Sequence, residues 1–122
     1  MHEQQIRDYL YGYKWLNSDI KKLQSYNAYL TNLDVAPWYV AESRKRVEDM
    51  RLMQKAIKTF FRIIPYDEPI RKFLVEKYFR KDKDGKMQSL ETVLQNMGCD
   101  ESTYWKYDQK SIRKLKQIID ES

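Results

Sequence analysis

Between residues 9 and 30 one pattern repeats without a break: Tyr9, Tyr13, Leu16, Ile20, Leu23, Asn27 and Leu30 follow one another at alternating intervals of four and three. Such spacing puts all seven side chains on one stripe of an α-helix, and its persistence over three heptads excludes a strand. The positions between them are mostly polar, so the stripe is narrow and suits a partner helix better than a deep core. The spacing predicts a single helix over residues 3 to about 33. Asn27 on the stripe would fix register or partner number at some cost in stability. Thr31 to Pro37 breaks the pattern, and Ala36, standing before Pro37, is expected to be extended.

Four further helices follow from the same reasoning. Val40, Val47, Met50, Ile57, Phe61 and Ile64 mark one from about Ala41 to Ile64, ended by Pro65. Its short connection to the first predicts antiparallel packing, with Leu16, Ile20 and Leu23 against Val47, Met50 and Ile57. Asp67 as N-cap and Pro69 in the first turn open a third helix, to about Phe79. Ser89 caps a short fourth, Leu90 to Met97, followed by Gly98 where a left-handed residue is wanted. Asp100 or Ser102 caps a fifth, to about Asp120, with Tyr104, Ile112, Leu115 and Ile119 facing inward. The expected fold is all-α. It is a long antiparallel helical hairpin over residues 1–65, followed by a three-helix domain over 66–122.

Composition narrows the function. One Cys (Cys99) and one His (His2, at a terminus expected to fray) exclude a disulfide framework, a zinc finger and a serine–histidine–acid triad. No convergent set of acids, bases or ligands stands out, so no enzyme, cofactor or small-molecule substrate is expected. No apolar run approaches the ~20 residues that cross a bilayer, and no signal-peptide core is present; a cytoplasmic, non-membrane protein is expected. In the polar loop after residue 80, Asp82, Asp84, Gly85 and Glu91 sit at calcium-loop spacing, but Arg80 replaces the first ligand and Lys81, Lys83 and Lys86 repel a cation. A solvated turn is the reading there, with no metal.

Charge is unevenly placed within the net +5. Residues 1–40 are neutral, with four basic and four acidic side chains. Residues 41–66 carry seven basic against three acidic, and 67–122 carry twelve against eleven. Within the last part, Lys106, Lys110, Arg113, Lys114 and Lys116 fall in a stretch whose one acid is Asp108. Basic helices suggest nucleic acid, although a solvated face gives the same count.

The fourth and fifth helices and the turn Met97-Gly98-Cys99 have helix-turn-helix lengths. "IRKFLVEKYF" and "SLETVLQNMGCDESTYWKYDQKSIRKL" resemble the C-terminal promoter-reading domain of sigma factors. In that comparison Ser102-Thr103 opens the recognition helix, Trp105-Lys106 matches an aromatic–basic pair, and Ile112-Arg113-Lys114-Leu115 matches the closing motif. The layout, helical hairpin then sigma-like domain, is similar to phage late-transcription regulators of the ArpU and RinA type. The resemblance implies a DNA-binding transcription regulator with double-stranded promoter DNA as partner and an arm for dimerisation or for contact with RNA polymerase. A homodimer is expected from the first helix itself, whose narrow, tyrosine-rich stripe a lone copy would leave partly bare. Asp100, Glu101 and Asp108 depart from the pattern, placing negative charge where phosphates would lie.

On a helix with that inner stripe, Ser102, Thr103, Lys106 and Gln109 are the expected base-reading residues. Lys110, Arg113 and Lys114 would meet phosphates, positioning rather than specifying. Trp105 is expected in a core or interface. Tyr9, Tyr13, Leu16, Ile20 and Leu23 form the expected interaction surface for a second copy. The alternative is a factor that binds RNA polymerase, a sigma factor or another regulator without DNA, which the acidic stretch 89–104 and the surplus aromatics favour.

Overall fold

The computed structural model describes residues 1–122 as an all-α chain: α1 (Glu3–Tyr11), α2 (Leu16–Asn32), α3 (Pro37–Ile63), α4 (Pro69–Leu74), α5 (Leu90–Met97) and α6 (Glu101–Asp120). A one-turn 3₁₀ segment, Tyr13–Trp15, links α1 to α2, and Val75–Phe79 continues α4 as a wider π-helical turn. There are no strands, only an isolated bridge between Lys81 and Met87 that closes a loop. No helix is long and apolar enough to cross a membrane.

The predicted first helix is not continuous. It stops at Gly12, which is α1's C-cap, and restarts at Leu16 after the 3₁₀ turn. Glycine inside a helix costs about 1 kcal/mol relative to alanine, and the break is used. α2 stays against α3, while α1 packs on α6 and on α3. Ile6 and Leu10, both fully buried, join a core of twenty residues that also takes in Phe60, Phe73, Tyr78, Val93, Ile112 and Leu115. That core spans both sides of the boundary expected at residue 65. His2, expected to fray, instead caps α1: its ring accepts the Gln5 amide (3.3 Å), and the Gln5 side chain accepts the His2 amide (3.1 Å). This reciprocal pairing satisfies two amides that a helix start leaves open.

α2 and α3 lie antiparallel, as their surface clefts show: Leu30 lines one with Val40, Asn27 one with Val47, and Leu23 one with Met50. Leu16, Ile20, Val47, Met50 and Ile57 are buried in the shared core. The reversal between the helices differs from the expectation for Ala36. Ala36 is not extended but left-handed, with φ +48, and Asp34 is left-handed too, with φ +53. A four-residue connection has to turn the chain back on itself; Asp34 is of a type that visits the left-handed region, whereas Ala36 does so against its intrinsic preference. Pro37 then occupies the first turn of α3, where its fixed φ and missing N–H cost nothing; α3 therefore starts four residues earlier than expected.

Arg71 fixes the corner between α3 and α4. Its Nη1 donates to the Phe61 carbonyl (2.6 Å), one of the acceptors that the last turn of α3 leaves open, and to the carbonyl of Ile64 just past the helix (2.9 Å). α4 begins at Pro69 with Glu68, not Asp67, as the N-cap residue. In the π-helical turn the Arg80 amide reaches back five residues to the Val75 carbonyl (2.7 Å). The widened turn lets three consecutive polar residues, Glu76, Lys77 and Tyr78, all point inward. Such turns often accompany specialised sites.

Candidate nucleic-acid interface

α6 is set by its two ends and its inner face. At its start, the Asp100 carboxylate accepts the Thr103 amide (2.8 Å), which holds the Asp100 carboxyl below the usual range. Before it, Gly98 sits at φ +63 and closes α5, with its own amide on the Gln95 carbonyl and that of Cys99 on the Leu94 carbonyl. A side chain at Gly98 would be strained by that φ although nothing crowds it. Burial, then the neighbouring Asp100, pushes the Cys99 thiol up, away from the reactive thiolate.

The inner face contains what the sequence reading missed. Asp108 is 2% exposed and is not an acid on the outer surface. Its Oδ2 accepts from Arg7 Nε (3.2 Å) and Nη2 (3.1 Å) on α1. Its Oδ1 accepts from Lys77 Nζ (3.0 Å) and the Tyr78 hydroxyl (2.5 Å) in the π-helical turn. One carboxylate thus ties three elements together, and with two cations against it the site is not an uncompensated buried charge. Desolvation lowers the Lys77 pKa below the usual lysine range, opposed by the charge of Asp108. Burial, and then the hydrogen bond to Asp108, raises the Tyr78 hydroxyl well above its ordinary value, so it remains a donor. The Lys77 ammonium also lies 4.9 Å from the Tyr104 ring and 5.0 Å from those of Tyr78 and Trp105. A second buried carboxylate, Glu76, accepts from Arg80 (2.6 Å) and from Asn96 of α5 (3.0 Å), which docks α5 onto the same turn.

The spacing of α6 contained a signal for Asp108. Tyr104 and Ile112 are eight residues apart on one stripe, and residue 108 fills the gap, four residues after the first and four before the second. Nothing comparable marks Lys77, whose burial depends on the wider turn.

The outer face of α6 carries the expected reading residues. Ser102, Lys106, Gln109, Lys110 and Arg113 are exposed, and Thr103 and Lys114 are half-buried. Ser102, Lys106, Gln109 and Arg113 follow at intervals of 4, 3 and 4, so they share one side of the helix. Arg113 has only a distant surface partner, Glu3 at 3.9 Å. Trp105, expected to be covered, is 51% exposed, with its ring edge-on to Tyr104 at 4.8 Å. Glu101 is exposed in the first turn of α6.

The expected interaction surface fares differently. Leu16 and Ile20 are 2% and 4% exposed, closed in the chain's own core by α3, so they leave little for a second copy; Tyr9, Tyr13 and Leu23 are half-buried. One group of exposed apolar side chains lies at the far end of α2 and α3. There Tyr29 stacks near Tyr26 (6.4 Å), Tyr26 meets Tyr39 edge-on (5.9 Å), and Tyr39 meets Trp38 (6.0 Å). Leu33 and Val35 border this ladder and are also exposed. In the loop before α5, Asp82 Oδ1 accepts the amides of Asp84 (2.8 Å) and Lys86 (2.9 Å), which closes the turn on itself.

No protein-family model, curated protein or solved structure matches this chain.

Proposed function

We propose that the protein is a sequence-specific DNA-binding transcription regulator that reads a major groove with α6. In this reading α5, the turn at Gly98 and α6 act as a sigma-like helix-turn-helix, and the paired α2 and α3 form a helical-hairpin arm, as in phage late-gene activators. The observation that carries it is the sorting of charge on α6. The acid in the middle of the basic stretch, Asp108, is turned inward and neutralised by Arg7 and Lys77. Lys106, Lys110 and Arg113 are therefore exposed on a face without an acid between them. An α-helix fits a major groove, and a lysine at position 106 can reach the acceptor atoms of guanine. Lys110 and Arg113 lie about 6 and 10.5 Å further along the axis, suited to backbone phosphates.

The test is selection of a preferred duplex from a random pool, followed by binding measurements on variants. Lys106→Ala is expected to cost ~1–3 kcal/mol and to relax sequence choice. Lys110→Ala weakens all sequences alike and flattens the salt dependence by about one. If Lys106→Ala combined with Arg113→Ala leaves both affinity and preference unchanged, α6 is not the reader.

A second reading is favoured by a separate observation, the aromatic ladder Tyr29–Tyr26–Tyr39–Trp38 at the end of the arm. Exposed aromatics are the residues that anchor protein interfaces, so the chain would act on RNA polymerase or another regulator through the arm. Trp38→Ala with Tyr29→Ala would then abolish regulation while leaving duplex binding intact.

A further inference from the structure

α3 carries a line of cations on the side turned away from α6. Arg44, Glu48, Arg51, Lys55, Lys58 and Arg62 follow at intervals of 4, 3, 4, 3 and 4, and all six are exposed. They form one straight stripe about 27 Å long. The buried face of α3 at this level, Ala56, Ile57 and Phe60, belongs to the core it shares with α6, so the stripe looks outward from the opposite flank. None of its five cations has an ion-pair partner within 4 Å; the pairs in the molecule are Arg7 and Lys77 with Asp108, Arg80–Glu76, Arg113–Glu3 and Lys116–Asp120.

This arrangement disfavours the helix that bears it. Arg51, Lys55, Lys58 and Arg62 are successive like charges at i+3 and i+4, each pair destabilising by a few tenths of a kcal/mol. No acid from a neighbouring element relieves them. An external polyanion would. The stripe contains no apolar or aromatic residue, and a protein interface needs such anchors. A repeating row of phosphates needs only evenly placed cations.

We infer that the outer stripe of α3 is a second, sequence-independent contact for the phosphate backbone of duplex DNA, separate from the face of α6. It does not depend on α6 being a base reader.

The experiment measures fluorescence-anisotropy binding of a random-sequence duplex over a range of salt. It compares the full chain, the α3 variant Arg51→Gln/Lys55→Gln/Lys58→Gln/Arg62→Gln, and the α6 variant Lys106→Ala/Lys110→Ala. The α3 variant is expected to lose affinity for every sequence, on the order of 100-fold at 0.1 M salt, and to flatten the log–log salt slope by about 3 to 4. Its melting temperature should be equal or higher, because repulsion is removed, which separates the effect from misfolding. An α3 variant with unchanged affinity and slope overturns the inference, as does wild-type protein that fails to bind random duplex at low salt. Binding of a polyglutamate peptide as tight as that of the duplex, lost in the same variant, assigns the stripe to an acidic protein and also overturns it. If the α3 variant flattens the slope while the α6 variant leaves the slope unchanged here and leaves the preference of the selected duplex over the random one unchanged, the stripe stands and the α6 reading falls.

Discussion

Asp108 on α6 and Asn27 on α2 are both polar residues on the inner stripe of a helix, 2% and 5% exposed, and their surroundings differ. Asp108 receives four hydrogen bonds, from residues 101, 31 and 30 positions away in sequence. The Asn27 side-chain oxygen is buried without any partner, as is the hydroxyl of Ser43 on α3. Polar groups in one region therefore fix an arrangement of three elements; in the other they disturb a seam held by apolar contact alone. A fully satisfied network over-determines its geometry, and a half-satisfied one costs stability. The face of α6 that would meet DNA is backed by the first kind. The aromatic end of the α2–α3 pair is backed by the second.

The largest way to break this contrast is to remove its centre. Asp108→Ala leaves Lys77 buried as an unpaired cation and Tyr78 without its acceptor. Breaking a buried pair typically costs ~3–5 kcal/mol. The lower part of that range is expected here, because the Arg7 side chain is 25% exposed and can turn to water. Urea denaturation measures it, and a loss below about 1 kcal/mol would mean that the network does not hold α1 and the π-helical turn on α6.

Alkali probes the same centre without mutation. Burial raises the hydroxyls of Tyr9, Tyr11, Tyr78 and Tyr104, the last up to about 12. A phenol with a raised folded pKa contributes stability that is complete below the unfolded value near 10 and is lost as pH rises through the folded one. Lys77 has the opposite sign. Its lowered pKa is a penalty at neutral pH, relieved as pH climbs from that lowered value toward 10.5. Four phenols against one lysine make stability fall above pH 10. Urea midpoints between pH 8 and 12 should show it, and Tyr104→Phe should remove part of the fall between 10 and about 12.

The two regions were also unequally legible. The α2–α3 pair was readable because an uninterrupted 4-3 spacing has one structural solution, and its partner stripe on α3 follows the same rule. The break at Gly12 was not readable from that spacing, since the stripe runs straight through it. Only the long-range packing of Ile6 and Leu10 against α6 makes the bend worthwhile. In α6 the apolar stripe was readable and Asp108 was misplaced, because a charged residue is assigned to solvent unless its partners are known. Those partners, Arg7 and Lys77, are distant in sequence, and one of them points inward only because the helix widens at Val75–Phe79.

The contrast sharpens if the orphan on the seam is removed. Asn27→Leu abolishes a buried acceptor with no partner and adds apolar contact with Val47, so a gain of ~1–3 kcal/mol is expected in thermal or urea unfolding. The sign carries information. A loss of stability that grows with protein concentration, together with a change in light-scattering mass, would show that a second copy satisfies Asn27.

The smallest effect lies in the turn that closes the α2–α3 pair. Ala36 holds φ +48 and ψ 53 directly before Pro37 and offers no side-chain oxygen to cap α3. A left-handed alanine costs about 1–2 kcal/mol, and the proline ring that follows adds crowding. Ala36→Gly removes the steric cost but gives the unfolded chain more freedom, which takes back part of the gain. The net expectation is a stabilisation of ~0.5–1 kcal/mol, read as a small rise in melting temperature. The same substitution at Ala56, fully buried in regular α3, has no strain to relieve and should lose stability. If both changes destabilise alike, the turn is not strained, and the looser end of the molecule owes its character to Asn27 and Ser43 alone.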